Sequence, residues 1–226
     1  MNSATTPAWR ALRTRRQWLV FGALAVTAAV VAQALDHSAW QVLRDPRIHE
    51  KDLGRLLRLI GYLPVWCIVA VALWMQDRSD PDRRARWGWR GGLVLLAPTV
   101  GGALAEVLKL LVRRLRPSAD VFAYAWRPFS DDTFSTRGLG LPSSHTMVAF
   151  AGAAAISRVF PRAWGLWYLL AAGCAATRVL SLGHFLSDTV VAAFLGYSVG
   201  VVLARSGGFG RSLLRPAHHD VPATLR

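Results

Sequence analysis

The sequence predicts an all-α, polytopic membrane protein with six transmembrane helices in a single domain, residues 1–226. Hydrophobic residues make up 53% of the chain, and the mean hydropathy is +0.30. A helix that crosses a bilayer needs about 20 consecutive, mostly apolar residues. Six segments meet this requirement, and they cover residues 17–35, 59–76, 91–112, 144–160, 163–181 and 184–205.

The first apolar segment follows a basic stretch and ends in Ala32-Gln33-Ala34, a pattern that resembles a cleavable signal peptide. Its apolar run is long for a signal sequence, so we expect residues 17–35 to be retained as the first helix. Between the first two spans, we expect residues 36–58 to contain a short amphipathic helix that lies at the outer surface.

Positive charge indicates how the chain is oriented. The chain has 27 Lys and Arg against 13 Asp and Glu. Such an excess can indicate a nucleic-acid partner, but these arginines cluster between apolar runs, as in membrane proteins. We therefore expect a bilayer and no nucleic acid as the partner. The more basic segments are 1–16, 77–90, 161–162 and the tail 206–226, which we expect to be disordered. They predict cytoplasmic termini and an outer active-site loop, 113–143.

Neither a metal nor another cofactor is expected, because no spacing of Cys and His is typical of a metal site. Cys67 and Cys174 lie in the middle of apolar runs and are interpreted as small buried hydrophobic residues. His218 and His219 lie in the polar tail, where a solvated pair is the simpler interpretation. The sequence does not indicate an oligomeric state.

Two cations mark the end of the third predicted span. Lys109 and Arg116 are seven residues apart, which is two helical turns, so both side chains point to one face. Pro117 then ends the helix. A charge at the centre of a bilayer costs about 2.5–3.5 kcal/mol, so it usually faces a polar cavity and has a function. We predict that this pair lines a polar site at the outer surface.

Three neighbouring charges have structural interpretations. Arg113 and Arg114 suit snorkelling to the membrane interface. Glu106 lies one turn deeper than Lys109, and we predict a structural ion pair between the two rather than a catalytic role for Glu106.

The fourth predicted span opens with Pro142-Ser143-Ser144-His145. Ser143 suits a helix N-cap and Pro142 suits a helix start, so simple capping is one interpretation. A helix N-terminus also presents free N–H groups and the positive end of the helix dipole, which favour anions. Because His145 adds a titratable side chain here, the segment is a candidate anion site.

Arg178 ends the fifth predicted span, and His184 and Asp188 begin the sixth. His184 and Asp188 are four residues apart, about 6 Å along a helix axis. We predict that Asp188 accepts a hydrogen bond from one ring nitrogen and leaves the other as a nucleophile, as in catalytic triads. A solvated pair is the alternative, but a charge in an apolar span usually has a function.

Together these motifs resemble the type 2 phosphatidic acid phosphatase superfamily of membrane lipid phosphatases. Its pattern is Lys, six residues, Arg-Pro; then Pro-Ser-Gly-His; then Ser-Arg, five residues, His, three residues, Asp. This chain has Lys109…Arg116-Pro117, Pro142-Ser143-Ser144-His145 and Thr177-Arg178…His184…Asp188. Ser144 replaces the usual Gly, which matters only if that position needs a positive φ. Thr177 replaces the usual Ser and keeps a hydroxyl.

The resemblance implies a role for each motif residue. His184 attacks phosphorus and forms a phosphohistidine, Asp188 orients its ring, and His145 protonates the leaving oxygen and then activates water. The residues implied to hold the phosphoryl oxygens are Lys109, Arg116, Ser143, Ser144 and Arg178. Preorganised donors of this kind are usually the largest catalytic contribution, and one histidine can act as acid and then as base.

The resemblance also implies the substrate class, and the distribution of positive charge indicates the location. We expect a multi-pass protein of the plasma or inner membrane, with its active site on the periplasmic or extracellular side. The expected substrate is a lipid phosphomonoester or diphosphate, such as an isoprenyl diphosphate, phosphatidic acid, phosphatidylglycerol phosphate or a lipid A phosphate.

Two alternative functions stay open, phosphotransfer to another lipid hydroxyl and non-catalytic binding of lipid phosphates. A binder needs the cations but not the pair of His184 and Asp188, so the complete set favours an enzyme. Soluble vanadium haloperoxidases share the motifs, but six spans argue against that class.

Overall fold

The computed structural model describes residues 14–79 and 89–206, and within these ranges the regular structure is helical. The first three helices are α1 (Arg15–Val42), α2 (Asp52–Leu59) and α3 (Leu63–Ser79). The other four are α4 (Trp89–Val112), α5 (Ser144–Val159), α6 (Trp164–Leu180) and α7 (Leu186–Ser206). Short 3₁₀ turns at Ile48–Glu50 and Pro161–Ala163 precede α2 and α6.

The six longer helices coincide with the six predicted apolar segments. The main difference is α1, which continues past residue 35 to Val42, because Asp36 is buried and bonded to the start of α7. The predicted surface helix within residues 36–58 is α2, which leaves Leu53 and Leu56 exposed. The predicted segments 1–16, 77–90 and 206–226 lie largely outside the described residues.

Four helices are long and apolar enough to cross a membrane. They are α1, α4, α7 and α6 together with its preceding 3₁₀ turn. The pair of α2 and α3, bent by 65°, passes the same test only when it is taken as one span. The remaining helix, α5, has 16 residues. The protein is therefore an all-helical membrane protein with four or five such spans in its described part, and six spans stay a prediction.

Helix α5 lies at the centre of the bundle and packs against α4, α6 and α7. It is rich in alanine, and Ala149, Ala151 and Ala153 have no exposed surface. Small residues allow neighbouring helices to approach closely. On α7, a Cβ added to Gly200 would lie 2.8 Å from the carbonyl oxygen of Ala151, so only glycine fits this crossing. This packing fixes the N-terminus of α5, where one sequence motif lies.

The loop between α4 and α5 covers one end of the bundle. Isolated β-bridges join Arg114 to Trp126 and Leu115 to Leu139, which folds the loop back on itself. The indole N–H of Trp40 on α1 donates to the Ser118 carbonyl at 2.8 Å and ties the loop to the bundle.

Candidate active site

The three sequence motifs meet at the end of the bundle that this loop covers. Lys109 near the end of α4 contacts the hydroxyl of Ser144 at the start of α5. The backbone N–H of Ser143 donates to the carbonyl of Asp188 on α7 over 3.4 Å. Helices α4 and α6 end here, while α5 and α7 begin here. The N-termini of α5 and α7 thus contribute the positive ends of their dipoles to one place.

His184 is 2% exposed, and the loop fixes its ring. Its Nδ1 donates to the carbonyl oxygen of Gly140 at 2.8 Å, because a carbonyl can only accept. In the neutral ring, this tautomer leaves Nε2 as the nitrogen without a proton. The predicted hydrogen bond to Asp188 is not formed. Asp188 Oδ2 lies 3.8 Å from Nδ1 and accepts the N–H of Phe185 at 2.9 Å instead. Asp188 therefore lies within ion-pair distance of the ring without a hydrogen bond to it.

The fully buried Asp188 has a second partner, Arg114, that the sequence analysis did not predict. The Arg114 guanidinium bonds Asp188 Oδ1 and donates to Ser187 Oγ at 2.7 Å. It lies over the rings of both Tyr124 and Phe185, whose centroids are 5.3 and 5.0 Å away. The predicted snorkelling of Arg114 is wrong, because a buried carboxylate and two aromatic faces replace water around this cation.

Another carboxylate, Asp36 of α1, reaches the same region. It is 1% exposed and accepts the N–H of Ser187 at 2.8 Å and its hydroxyl at 2.6 Å. The Tyr124 hydroxyl donates to it at 2.9 Å. Burial and the bond to Asp36 raise the pKa of Tyr124 to about 12, so this hydroxyl remains a donor at neutral pH. The one sequence signal for Asp36 was a carboxylate directly after an apolar run.

The Lys109 ammonium lies in a small polar network and is 4% exposed. Its Nζ is 2.9 Å from Glu106 Oε1, which confirms the predicted ion pair. The Ser144 hydroxyl contacts Lys109 and donates to Glu106 at 2.5 Å. Ser144 is the first residue of α5 and is not among the residues with positive φ. The position therefore does not require glycine, and the serine hydroxyl joins the network instead.

Ser143 is the N-cap residue of α5, as predicted, but its side chain makes no capping hydrogen bond. The hydroxyl is fully buried and accepts from Thr146 Oγ1 at 3.1 Å. In this structure Ser143 joins α5 to α7, and its role in phosphate binding stays a prediction.

Two guanidinium groups complete the predicted cations. Arg178 is 7% exposed, and its Nη1 donates to Nε2 of His49 over 3.3 Å. Burial, and then the charges of Arg178 and Arg58, lower the pKa of His49, which favours a neutral ring that can accept this bond. Arg116 is exposed, and its Nε donates to the Leu139 carbonyl at 3.4 Å. His49 lies in the turn before α2, and no pattern in the sequence linked it to Arg178.

The second residue of α5 is His145, which is half-buried. Its ring lies within electrostatic range of Arg178, Arg58, His184 and Lys109. The structure thus brings both predicted histidines together with predicted cations. Among the described residues, no group of three or more His, Cys, Asp or Glu is arranged to hold a metal ion.

Another buried arginine, Arg113, organises the loop above the site. It has a φ of 59° and is 1% exposed. Its guanidinium donates to the carbonyls of Pro128, Arg127 and Thr133 at 2.8, 3.1 and 3.2 Å, and also to that of Asp131. The predicted snorkelling of Arg113 is wrong, because four loop carbonyls take the place of water around its guanidinium.

Comparison with known proteins identifies the family of this protein. The model of the PAP2 superfamily matches residues 90–209, more than half of the chain and all three motifs. This chain belongs to the PAP2 superfamily. No solved structure matches the PAP2 protein described here.

Relatives of this PAP2 protein include named lipid phosphatases. It is 32% identical over 156 residues to decaprenylphosphoryl-5-phosphoribose phosphatase of Mycobacterium tuberculosis, which covers 69% of this chain and 76% of the relative. It is 28% identical over 172 residues to lipid A 1-phosphatase of Rhizobium johnstonii, which covers 70% of this chain and 69% of the relative. The PAP2 protein is accordingly a phosphoric ester hydrolase that acts on lipid phosphates.

Proposed function

We propose that this protein is an integral-membrane, metal-independent lipid phosphatase that works through a phosphohistidine on His184. The observation that carries the proposal is the hydrogen bond and the neighbouring carboxylate that surround this imidazole ring. Its Nδ1 proton is committed to Gly140 at 2.8 Å, and the Asp188 carboxylate lies 3.8 Å away. An imidazole held in this tautomer presents Nε2 as a nucleophile. A protein that only binds lipid phosphates does not need this arrangement.

In the first step, Nε2 of His184 attacks phosphorus, and the bond from phosphorus to the lipid oxygen breaks. His145 donates its proton to that leaving oxygen. Asp188 balances the positive charge that develops on the His184 ring. The charge on the phosphoryl oxygens is met by the N-terminus of α5 and by Lys109, Arg116, Ser143, Ser144 and Arg178.

In the second step, a water molecule gives one proton to His145 and its oxygen attacks phosphorus. The bond between phosphorus and Nε2 breaks, which releases inorganic phosphate and restores neutral His184. His145 regains the proton that it gave in the first step, so it serves as acid and then as base.

The proposed substrate is a lipid phosphomonoester or diphosphate that enters from the bilayer. The relatives are named as phosphatases of decaprenylphosphoryl-5-phosphoribose and of lipid A at position 1. These names support lipids that carry a sugar phosphate, of which lipid A phosphate was already expected, beside isoprenyl diphosphate, phosphatidic acid and phosphatidylglycerol phosphate.

We also propose one domain over residues 1–226 in which six helices, α5 included, cross the plasma or inner membrane. The support for α5 is its position, because protein surrounds it on several sides and a short helix there need not match the lipid thickness. The basic segments support cytoplasmic termini and an active site on the periplasmic or extracellular side.

The test is phosphate release by the detergent-purified protein on a panel of these lipids, with EDTA present. We expect His184→Ala to lower kcat by at least about 1,000-fold, since it removes the nucleophile. His37→Ala is the matched control, because this exposed histidine on α1 stacks on Trp40 outside the motifs. Near-wild-type release by His184→Ala would contradict the proposal. Loss of the lipid phosphate without free phosphate would indicate phosphotransfer.

A further inference from the structure

Behind His184 lies a charged network in which Asp188 is the one residue that the three PAP2 motifs define. It consists of Asp36 on α1, Arg114 in the loop, and Ser187 and Asp188 on α7, and none of the four is more than 5% exposed. Charges removed from water to this degree are costly unless partners compensate them. The way in which the three charges compensate one another therefore determines the electrostatic field at the nucleophile.

The Ser187 hydroxyl is the link in this network. It accepts from Arg114 Nη2 at 2.7 Å and donates to Asp36 Oδ2 at 2.6 Å. The Ser187 N–H also donates to Asp36 Oδ1 at 2.8 Å, so Asp36 caps the start of α7 from a different helix. The Arg114 Nη2 that donates to Ser187 also donates to Asp188 Oδ1. A continuous chain of hydrogen bonds thus runs from α1 to the carboxylate beside His184.

We propose that Asp36 and Arg114 are positioning residues that set the charge felt by His184. Arg114 fixes the Asp188 carboxylate, but alone it would neutralise that carboxylate. Asp36 supplies a second negative charge, so the three groups together keep one net negative charge. The inference rests on the proposed function, because it concerns the same nucleophile.

The other charged groups near His184 show why this balance matters. The ring has Asp188 at 3.8 Å, and Arg178, Arg116 and His145 also lie within electrostatic range. The two arginines oppose positive charge on the ring, yet the ring becomes positive when Nε2 bonds phosphorus. Asp36 and His184 also line one small cavity, and Asp36 is connected to the carboxylate beside the ring through Ser187 and Arg114. The network therefore favours the phosphohistidine.

The test is the pH profile of kcat for Asp36→Asn, Arg114→Gln and the double variant, in the full-length protein with phosphatidic acid as the probe. Asp36→Asn removes negative charge, so His184 loses its proton at a lower pH. The acid limb, which is the fall of kcat on the acidic side of the profile, therefore shifts to lower pH. Arg114→Gln removes positive charge and shifts the acid limb to higher pH, and the double variant returns it close to the wild-type pH. We expect each single shift to be roughly 0.5–1 pH unit. We also expect Asp36→Asn to lower kcat about tenfold with little change in KM.

Asp77→Asn is the matched control. Asp77 is also a fully buried helical carboxylate, paired with Arg90 at 2.6 Å at the opposite end of the bundle. We expect it to lower the melting temperature without moving the pH profile. Acid limbs that stay in place, or that move the same way in both single variants, would overturn the inference.

Two further outcomes distinguish a failure of the proposed function from a failure of this inference. Wild-type protein without activity on every lipid of the panel, or full activity in His184→Ala, would refute the proposed function rather than this inference. If Arg114→Gln does not fold, the comparison of Asp36→Asn with Asp77→Asn still decides, since only the former is expected to shift the acid limb downward.

Discussion

Gly140 shows how a residue without a side chain can shape this site. Its carbonyl oxygen accepts the Nδ1 proton of His184, and its Cα lies against the carboxylate of Asp188. A Cβ at this position would stand 3.0 Å from Asp188 Oδ2 and 3.2 Å from the Leu115 carbonyl oxygen. The sequence could not reveal this role, because Gly140 precedes the motif and a single glycine in a loop forms no pattern.

We expect Gly140→Ala to lower kcat by about 10- to 100-fold, because small displacements of reacting groups are costly in catalysis. The added methyl group pushes either the Asp188 carboxylate or the backbone that holds His184. The measurement is phosphate release under saturating lipid, together with the melting temperature of the variant.

Gly92→Ala is the control for this prediction. Gly92 lies on α4, and a Cβ there meets no atom within 4 Å. The same substitution should leave its kcat unchanged, since alanine also suits a helix better than glycine. Equal rates for Gly140→Ala and wild type would show that the site tolerates displacement of Gly140.

At the scale of elements, the loop between α4 and α5 owes its order to Arg113. The Arg113 guanidinium donates to backbone carbonyls between Arg127 and Thr133. The loop lacks regular secondary structure, but this buried side chain gives it a fixed centre. The Phe129 ring packs 5.1 Å from the same guanidinium. Because this loop carries Gly140 and Arg116, its order determines the geometry of the site.

We expect Arg113→Met to loosen the loop while the helices remain folded. Removing the buried donor leaves loop carbonyls unpaired, which costs on the order of 3 kcal/mol of local stability. Proteolysis within residues 118–141 should then become about 100-fold faster, because cleavage follows the population of the locally open state.

Arg44→Met is the matched variant for this experiment. Arg44 is exposed and donates to one carbonyl of the same loop, that of Ala119, at 3.1 Å. Its loss should change the cleavage rate by less than about threefold, as for other exposed contacts. Comparable cleavage in both variants would mean that Arg113 does not hold the loop.

At the level of the whole molecule, apolar run length predicted the helices well, because hydrophobic segments of this length have few other stable conformations in a bilayer. The end of α1 and the partners of Arg113, Arg114 and Asp188 could not be predicted. Each depends on contacts between residues far apart in the chain, such as Asp36 with Ser187. The spacing of His184 and Asp188 suggested a direct hydrogen bond, but the loop carbonyl of Gly140 takes that proton instead.

The number of membrane crossings is the last property to test, and six crossings require that the 16-residue α5 is one of them. Phe134 in the loop before α5 is 89% exposed, and Arg162 in the turn after α5 is exposed as well.

In a protein with Cys67 and Cys174 replaced by alanine, we introduce Phe134→Cys or Arg162→Cys and treat cells with a membrane-impermeant maleimide. If α5 crosses the membrane with cytoplasmic termini, Phe134→Cys reacts as soon as the reagent can reach the outer face of that membrane. Arg162→Cys then reacts only after the membrane itself is permeabilised. Equal labelling of both before permeabilisation would place the two ends of α5 on one side and exclude six spans. The opposite pattern, with only Arg162→Cys labelled, would keep α5 as a span and reverse the proposed orientation of the site.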